Sequence, residues 1–403
     1  MDSETDSPLD DKQEQSSSSS RASKARDRVR RRRERRGSTP TPSTSTRRVS
    51  RQLTPAGGFK LPDFRVPYVR QLGLVALAAV FMVALIILVG MFKNDPDQAD
   101  PNAIWLGADW TLETHDDSEI EALVALLREN RVGTVYAWVS WMRPDGLWGT
   151  APEVETDFND REAQLQAFSE QFNRLYPEAQ LYGWLNIRLI PTADGTSPMA
   201  SEDMLGSVSA FSLRVVNRLN FDGVFLDVEP VFNNDNAYLT MLQRVRGTIG
   251  QDVLLGVSVP PDWTPIDAEI PTPSVIAPGT VWDMEFKQRV ALLVDDLVVQ
   301  AYNSYLTQPS DYVEWVAYQV QSYAEAVAAL QTTTDIVIGV PMFEANLPAH
   351  DPAVETLASA LNGVRQGLRQ SGDAADVILG VAIFNETNMS DAEWNTFDSQ
   401  WLR

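Results

Sequence analysis

The stretch FDGVFLDVEP, residues 221 to 230, sets three carboxylates, Asp222, Asp227 and Glu229, into an otherwise apolar, strand-like run. Burying an unpaired charge in such a run costs several kcal/mol, so its presence needs a reason. Side chains on a strand alternate between faces: Phe225, Asp227 and Glu229 share one, and Val224, Leu226 and Val228 share the other. The aliphatic face suits packing beneath helices, which turns the acidic face toward the interior of a sheet closed on itself, with Glu229 nearest the open end. Two residues apart on one face, the Cα atoms of Asp227 and Glu229 stand about 6–7 Å apart. Ionising both at that spacing is unfavourable, so one carboxyl holds its proton to a higher pH and becomes an acid beside a charged partner. The chemistry this predicts is general acid/base catalysis; a hydrogen-bonded structural pair closing the top of a barrel is the plainer alternative.

Elements that would position such a pair recur along the chain. Eight short apolar runs, at 103–110, 133–141, 181–187, 223–229, 253–259, 297–303, 336–343 and 377–384, alternate with helix-period segments. The segments begin near Asp117 and continue at roughly 159–175, 202–219, 236–248, 283–294, 311–330, 353–371 and 391–402. Eight strand–helix units predict an α/β fold of the (β/α)8 TIM-barrel type over residues 103–403. An open doubly wound sheet is the structural alternative, but no Gly-rich phosphate loop follows the first run. Catalytic groups of such barrels project from the C-terminal strand ends. Those ends hold Asp109 and Trp110, Trp141, Asn186 and Arg188, Asp227 and Glu229, Asp262 and Trp263, Tyr302 and Asn303, Glu344, and Asn385 and Glu386. Carboxylates and amides that bind hydroxyls, gathered with indoles that stack on sugar rings, point to a carbohydrate site.

Composition divides the chain more sharply than length does. Residues 1–70 hold 17 Lys/Arg and 9 Asp/Glu, which leaves 16 basic against 46 acidic residues for 71–403. The first segment has few large apolar side chains, an arginine run from Arg30 to Arg36 and the Ser/Thr/Pro stretch STPTPSTST, a composition that predicts a disordered basic tail. Leu72 to Phe92 carry no charge, and as a helix would be roughly 31 Å long, the thickness of a bilayer's hydrocarbon core. A transmembrane helix is therefore expected at 71–93, followed by an Asp/Pro-rich linker at 94–102. Arg65 and Arg70 precede it and Asp95, Asp97 and Asp100 follow, which predicts a cytoplasmic N-terminus and an extracytoplasmic barrel at the cell membrane. A basic run beside a membrane reads as a contact for anionic lipid rather than for nucleic acid. The chain has no Cys and only His115 and His350, which excludes cysteine nucleophiles and thiolate metal sites and argues against histidine-based metal centres and triads. No cofactor is expected.

At Asp222, Gly223, Asp227 and Glu229 the chain resembles the chitinase-like barrels of glycoside hydrolase family 18, whose fourth strand carries D-G-x-D-x-D-x-E. Phe225 stands where that pattern has its middle Asp. The stretch Gln300, Ala301, Tyr302 and Asn303 is similar to the family's sixth-strand M-x-Y-D/N, and the run at 336–343 looks like its seventh strand. The resemblance spans most of residues 103–390 in layout, with specific matches on strands four and six. It implies that Glu229 is the general acid/base, that Asp227 orients the substrate's N-acetyl group as it attacks the anomeric carbon, and that Tyr302 holds the acetamido oxygen. The position of the family's eighth-strand Trp, which floors the sugar pocket, reads Phe384. Expected substrate contacts are therefore Asp222, Trp110, Trp141, Asn186, Trp263, Asn303, Glu344, Phe384 and Asn385, with a polysaccharide or cell-wall glycan as partner.

Three rival readings stay open at this level. The VEP ending of the fourth run also looks like the acid/base position of the large retaining-glycosidase clan and Glu344 falls where that clan places its nucleophile, a resemblance that implies Glu229 as acid/base, Glu344 as nucleophile and carboxyl groups about 5–5.5 Å apart. Segment FDGVFLDV also resembles polygalactosaminidase-like barrels. The substitutions Phe225 and Phe384 could alternatively mark a barrel that binds glycan without turning it over.

Overall fold

A computed structural model describes residues 100–152, 154–189, 197–262, 279–342, 350–385 and 389–403. The expected basic tail at 1–70, the membrane segment at 71–93, and Trp263, Glu344 and Glu386 lie outside the described residues. Among the described residues, no helix is long and apolar enough to cross a membrane.

The described residues form ten strands: β1 (Asn102–Leu106), β2 (Val132–Met142), β3 (Trp148–Ala151), β4 (Val154–Asp157), β5 (Gln180–Arg188), β6 (Gly223–Glu229), β7 (Leu254–Val259), β8 (Asp296–Gln300), β9 (Asp335–Pro341) and β10 (Ile378–Phe384). Eight of them, all but β3 and β4, pair in parallel in the order of the chain. The ring closes where β10 returns to β1, with Ala103 opposite Ala382 and Ile104 opposite Ile383. This is the (β/α)8 barrel expected from the alternation of elements. The hairpin β3–β4 was not expected. It hangs antiparallel from the upper end of β2, with Trp141 opposite Gly149 and Met142 opposite Trp148, and Pro144, Asp145 and Gly146 (φ +81°) form the turn that enters it.

The α-helices are α1 (Ala108–Leu112), α2 (Asp117–Glu129), α3 (Glu162–Leu175), α4 (Glu202–Asn217), α5 (Asn236–Ile249), α6 (Met284–Ala291), α7 (Pro309–Ala328), α8 (Leu357–Ser371) and α9 (Asp391–Phe397). Local chemistry sets many of their starts. Asp116 and Glu119 form a capping box at α2, and Asp235, Asp283 and Thr356 accept backbone N–H groups at α5, α6 and α8.

Two apolar layers follow from the strand period. Val224, Leu226 and Val228 pack outward with the helices, while Phe225 packs inward with Trp105, Tyr136, Trp138, Tyr182 and Trp184. The interior is a filled core rather than a pore. Phe225 stacks on Tyr136 at 4.3 Å between ring centroids and meets the edge of Trp105 at 5.9 Å. Gly256 on the neighbouring strand makes this possible, since a Cβ there would lie 3.0 Å from the Phe225 ring. At the N-terminal end of the ring, Asn102 fastens the close of the chain to its opening strand: its Oδ1 accepts the Trp401 indole N–H at 2.7 Å, and its Nδ2 donates to Arg131 O at 3.2 Å.

Candidate active site

β6 carries Asp227 and Glu229 inward and upward to the C-terminal mouth, as the alternation of its residues requires. Asp227 is almost wholly buried, whereas Glu229 is half-buried at the strand's end. Three donors converge on Asp227: Trp184 Nε1 at 3.1 Å and Asn186 Nδ2 at 2.8 Å reach Oδ2, and Ser258 Oγ reaches Oδ1 at 2.7 Å. An ionised carboxyl only accepts, so this set fits a carboxylate and fixes its plane. Trp184 and Asn186 come from β5, whose residues pair in register with Phe225 and Asp227, and Ser258 comes from β7 on the other side.

Glu229 meets a different environment. Gln300 Nε2, at the end of β8, donates to Glu229 Oε1 at 2.6 Å. Burial, and then the charge of Asp227, push the Glu229 carboxyl up to about 7, with the Gln300 hydrogen bond and the nearby Arg188 guanidinium pulling the other way. One carboxylate is thus locked by donors and its companion keeps a proton near neutral pH, the division of labour that an acid with a charged partner needs.

Tyr302 completes the cluster. The strand expected at 297–303 stops at Gln300, so Tyr302 and Asn303 sit in the turn beyond β8. The Tyr302 ring stacks on Phe384 at 5.4 Å and 12°, and Phe384 meets Trp105 and Trp184 edge-on at 5.2 and 6.0 Å. Burial, followed by the charges of Asp227 and Glu229, raises the Tyr302 phenol well above its ordinary range, so it stays a hydroxyl donor. Gly339 leaves room for the ring, because a Cβ there would stand 3.1 Å from Tyr302 Cε1. Phe384 thus ends β10 against Tyr302, Trp105 and Trp184, at the position where the resemblance has a Trp, with Asn385 half-buried beside it.

Other expected residues fall differently. Trp141 is half-buried at the edge of the inner layer, opposite Asn186, with no hydrogen-bond partner for its Nε1 among the described residues. Asn303 has φ +57°, and its Oδ1 likewise has no hydrogen-bond partner among them. Asp222 is a correction. It precedes β6 at the bottom of the barrel, where its Oδ2 accepts Leu181 N–H at 3.0 Å and its own N–H donates to Leu181 O at 2.9 Å. It splices β5 to β6 at the end opposite Glu229 and cannot reach a ligand at the mouth. Trp110 is a second correction. The first strand ends at Leu106 and α1 follows, so Ala108 packs against the inner layer and Leu112 against both, while Trp110 packs into the outer one and stacks on His115 at 4.8 Å. Asp109 is exposed on the same helix. Asp262 also leaves the site: it is buried in an ion pair with Lys287 of α6, with Ser322 of α7 donating to the same carboxylate oxygen at 2.5 Å.

Residues the sequence did not single out as site members are Trp184, Ser258 and Gln300. Alternation places each on an inward face, but their roles depend on which neighbour each strand pairs with. A groove of about 690 Å³ lies elsewhere, lined by Ser310, Ser359, Asn362, Arg365 and Arg403 among others. None of its lining residues belongs to the strand ends that carry the cluster.

No protein-family model matches the sequence, and no curated protein matches it. Solved structures are similar in fold. They include the spore cortex-lytic enzyme SleL of Bacillus cereus, at 11% identity over 75% of this chain and 75% of that chain with a TM-score of 0.46. A class V chitinase from Pseudomonas fluorescens aligns at 12% identity over 76% of this chain and 100% of that chain, TM-score 0.47. The class V chitinase of Nicotiana tobaccum aligns at 14% identity over 74% and 98%, TM-score 0.45.

Proposed function

We propose that the barrel is a glycoside hydrolase that cleaves an aminosugar-containing glycan, with Glu229 as general acid/base and Asp227 assisting the substrate's own acetamido group. The observation that carries this reading is the contrast between the two carboxyls: Asp227 held by Trp184, Asn186 and Ser258, and Glu229 pushed up to about 7 at an accessible strand end. Glu229 O–H protonates the glycosidic oxygen as the bond from that oxygen to C1 breaks. The acetamido carbonyl oxygen closes on C1, and Asp227 accepts the N–H whose positive charge grows as the ring forms. Water then attacks C1, gives a proton to the Glu229 carboxylate and reopens the acetamido group. Three of the roughly four lone-pair positions of a carboxylate are taken on Asp227, so one remains for that N–H. The Tyr302 hydroxyl steadies the acetamido oxygen, and Phe384 lies beneath as an apolar floor.

The experiment compares wild type with Glu229→Gln on a panel of glycans that includes chitin oligosaccharides. Loss of product release in the variant is expected, and equal release from both would end the hydrolase reading. Asp227→Asn and Tyr302→Phe should each lower kcat by about 10²-fold or more. Full activity of both on an acetamido sugar would exclude substrate assistance. We further propose that the apolar segment 72–92 tethers the barrel on the outer side of a membrane, a reading supported by its length and by the switch from basic to acidic flanks.

A further inference from the structure

The turn that carries Tyr302 is held by a group that never reaches the mouth. Glu355 lies just ahead of α8, and its side chain is wholly buried, as is that of His350 beside it. Its Oε2 accepts Asn303 N–H at 2.8 Å and stands 3.0 Å from His350 Nδ1. Its Oε1 accepts both Ser304 N–H at 2.7 Å and Ser304 Oγ–H at 2.6 Å. Successive backbone N–H groups converging on one anion form a nest, and here a carboxylate from elsewhere in the chain fills it. The nest requires Asn303 in the left-handed region, at φ +57°, a conformation that a non-glycine residue holds only when its surroundings impose it. Tyr312 of α7 adds a further tie by donating to Ala301 O at 2.7 Å. The residue between these two ties is Tyr302.

We propose that Glu355 is a positioning residue for Tyr302: its buried carboxylate fixes the Asn303–Ser304 turn and thereby sets the Tyr302 ring over Phe384 at the mouth of the barrel. The proposal rests on the reading of Tyr302 as part of the reacting site, and its test separates the two. A carboxylate uses all its lone pairs here and offers no donor. Gln, the isostere, presents an NH₂ to a backbone N–H at one of the two oxygen positions, so it keeps the shape and breaks the nest.

In the full-length chain labelled with 3-fluorotyrosine, the Tyr302 resonance is assigned by its loss in Tyr302→Phe. Glu355→Gln should shift that resonance and lower kcat by about 10–100-fold with KM within about threefold, the pattern of a catalytic group moved by a fraction of an ångström to an ångström. On the Tyr302→Phe background, the same substitution should cost less than about threefold more, because both act through one side chain. Should Glu355→Gln fail to fold, Ser304→Ala removes one of the four contacts, and it should shift the resonance and lower kcat by about threefold or more. An unshifted resonance with wild-type kcat in the folded variant, or an undiminished loss on the Tyr302→Phe background, would overturn the proposal. If Glu229→Gln turns over glycan like wild type, the hydrolase reading fails on its own, while the Tyr302 resonance still decides whether Glu355 sets that ring.

Discussion

Glu229 and Asp227 differ in what surrounds them, and that difference has a sign in pH. Glu229 is raised from 4.5 to about 7 by burial and by Asp227. A catalytic acid of that kind is competent below its folded value, so kcat/KM should fall as pH rises through about 7, tenfold per unit beyond it. A flat profile from pH 6 to about 9 would remove Glu229 from the proton transfer. Stability moves the same way. A carboxyl that binds its proton more tightly folded than unfolded loses stability between those two pH values and keeps the penalty above them. Wild type should therefore lose about 1–3 kcal/mol relative to Glu229→Gln between pH 4.5 and 7, read from urea midpoints. Phe225 makes a prediction of opposite intent. Restoring the acid of the resembled motif, Phe225→Asp, exchanges a ring stacked on Tyr136 for a buried carboxylate. It should cost more than about 3 kcal/mol and yield no gain in turnover; a variant of wild-type stability would show that the inner layer tolerates the charge. That Asp227 and Glu229 share an inward face was legible from alternation alone, because period two is a property of the strand itself. Ser258 and Gln300 were not legible as their partners, because cross-strand register sets those contacts.

Elements succeed or fail as readings according to how local their causes are. β6 was bounded to the residue, since Gly223 and Pro230 bracket a run that is apolar apart from Asp227 and Glu229. Trp110 was misread because Gly107 hands β1 directly to a helix, and a five-residue helix leaves no periodicity to find. The hairpin β3–β4 was missed for a related reason: its strands are four residues each, and Trp148 owes its place to stacking on Phe211 at 4.2 Å, a contact 63 positions along the chain. Asp262 was misread because its partner is Lys287, on a helix packed behind the sheet. That pair allows a direct test. Lys287→Met leaves Asp262 with Ser322 but no cation in a buried setting, and should destabilise by about 3–5 kcal/mol at neutral pH, with part of the loss recovered in Lys287→Met/Asp262→Asn. A cost below about 1 kcal/mol would show that water reaches the carboxylate.

Over the whole molecule, the strongest sequence signal is the division of charge: 17 basic and 9 acidic residues up to position 70, against 16 and 46 beyond it. If the segment 72–92 is an anchor, the full-length protein should sediment with membranes, resist extraction by about 1 M salt and enter detergent. Release by salt alone would reduce the attachment to the basic tail and lipid headgroups. The ring also fixes a direction. Asn102 opens the first strand at the pole opposite Glu229, and its side chain holds the indole of Trp401, so the chain enters the barrel and finishes its last helical turns on that same side. A label or crosslink placed on Asn102 or Trp401 would therefore sit at the pole of the ring that Glu229 does not occupy.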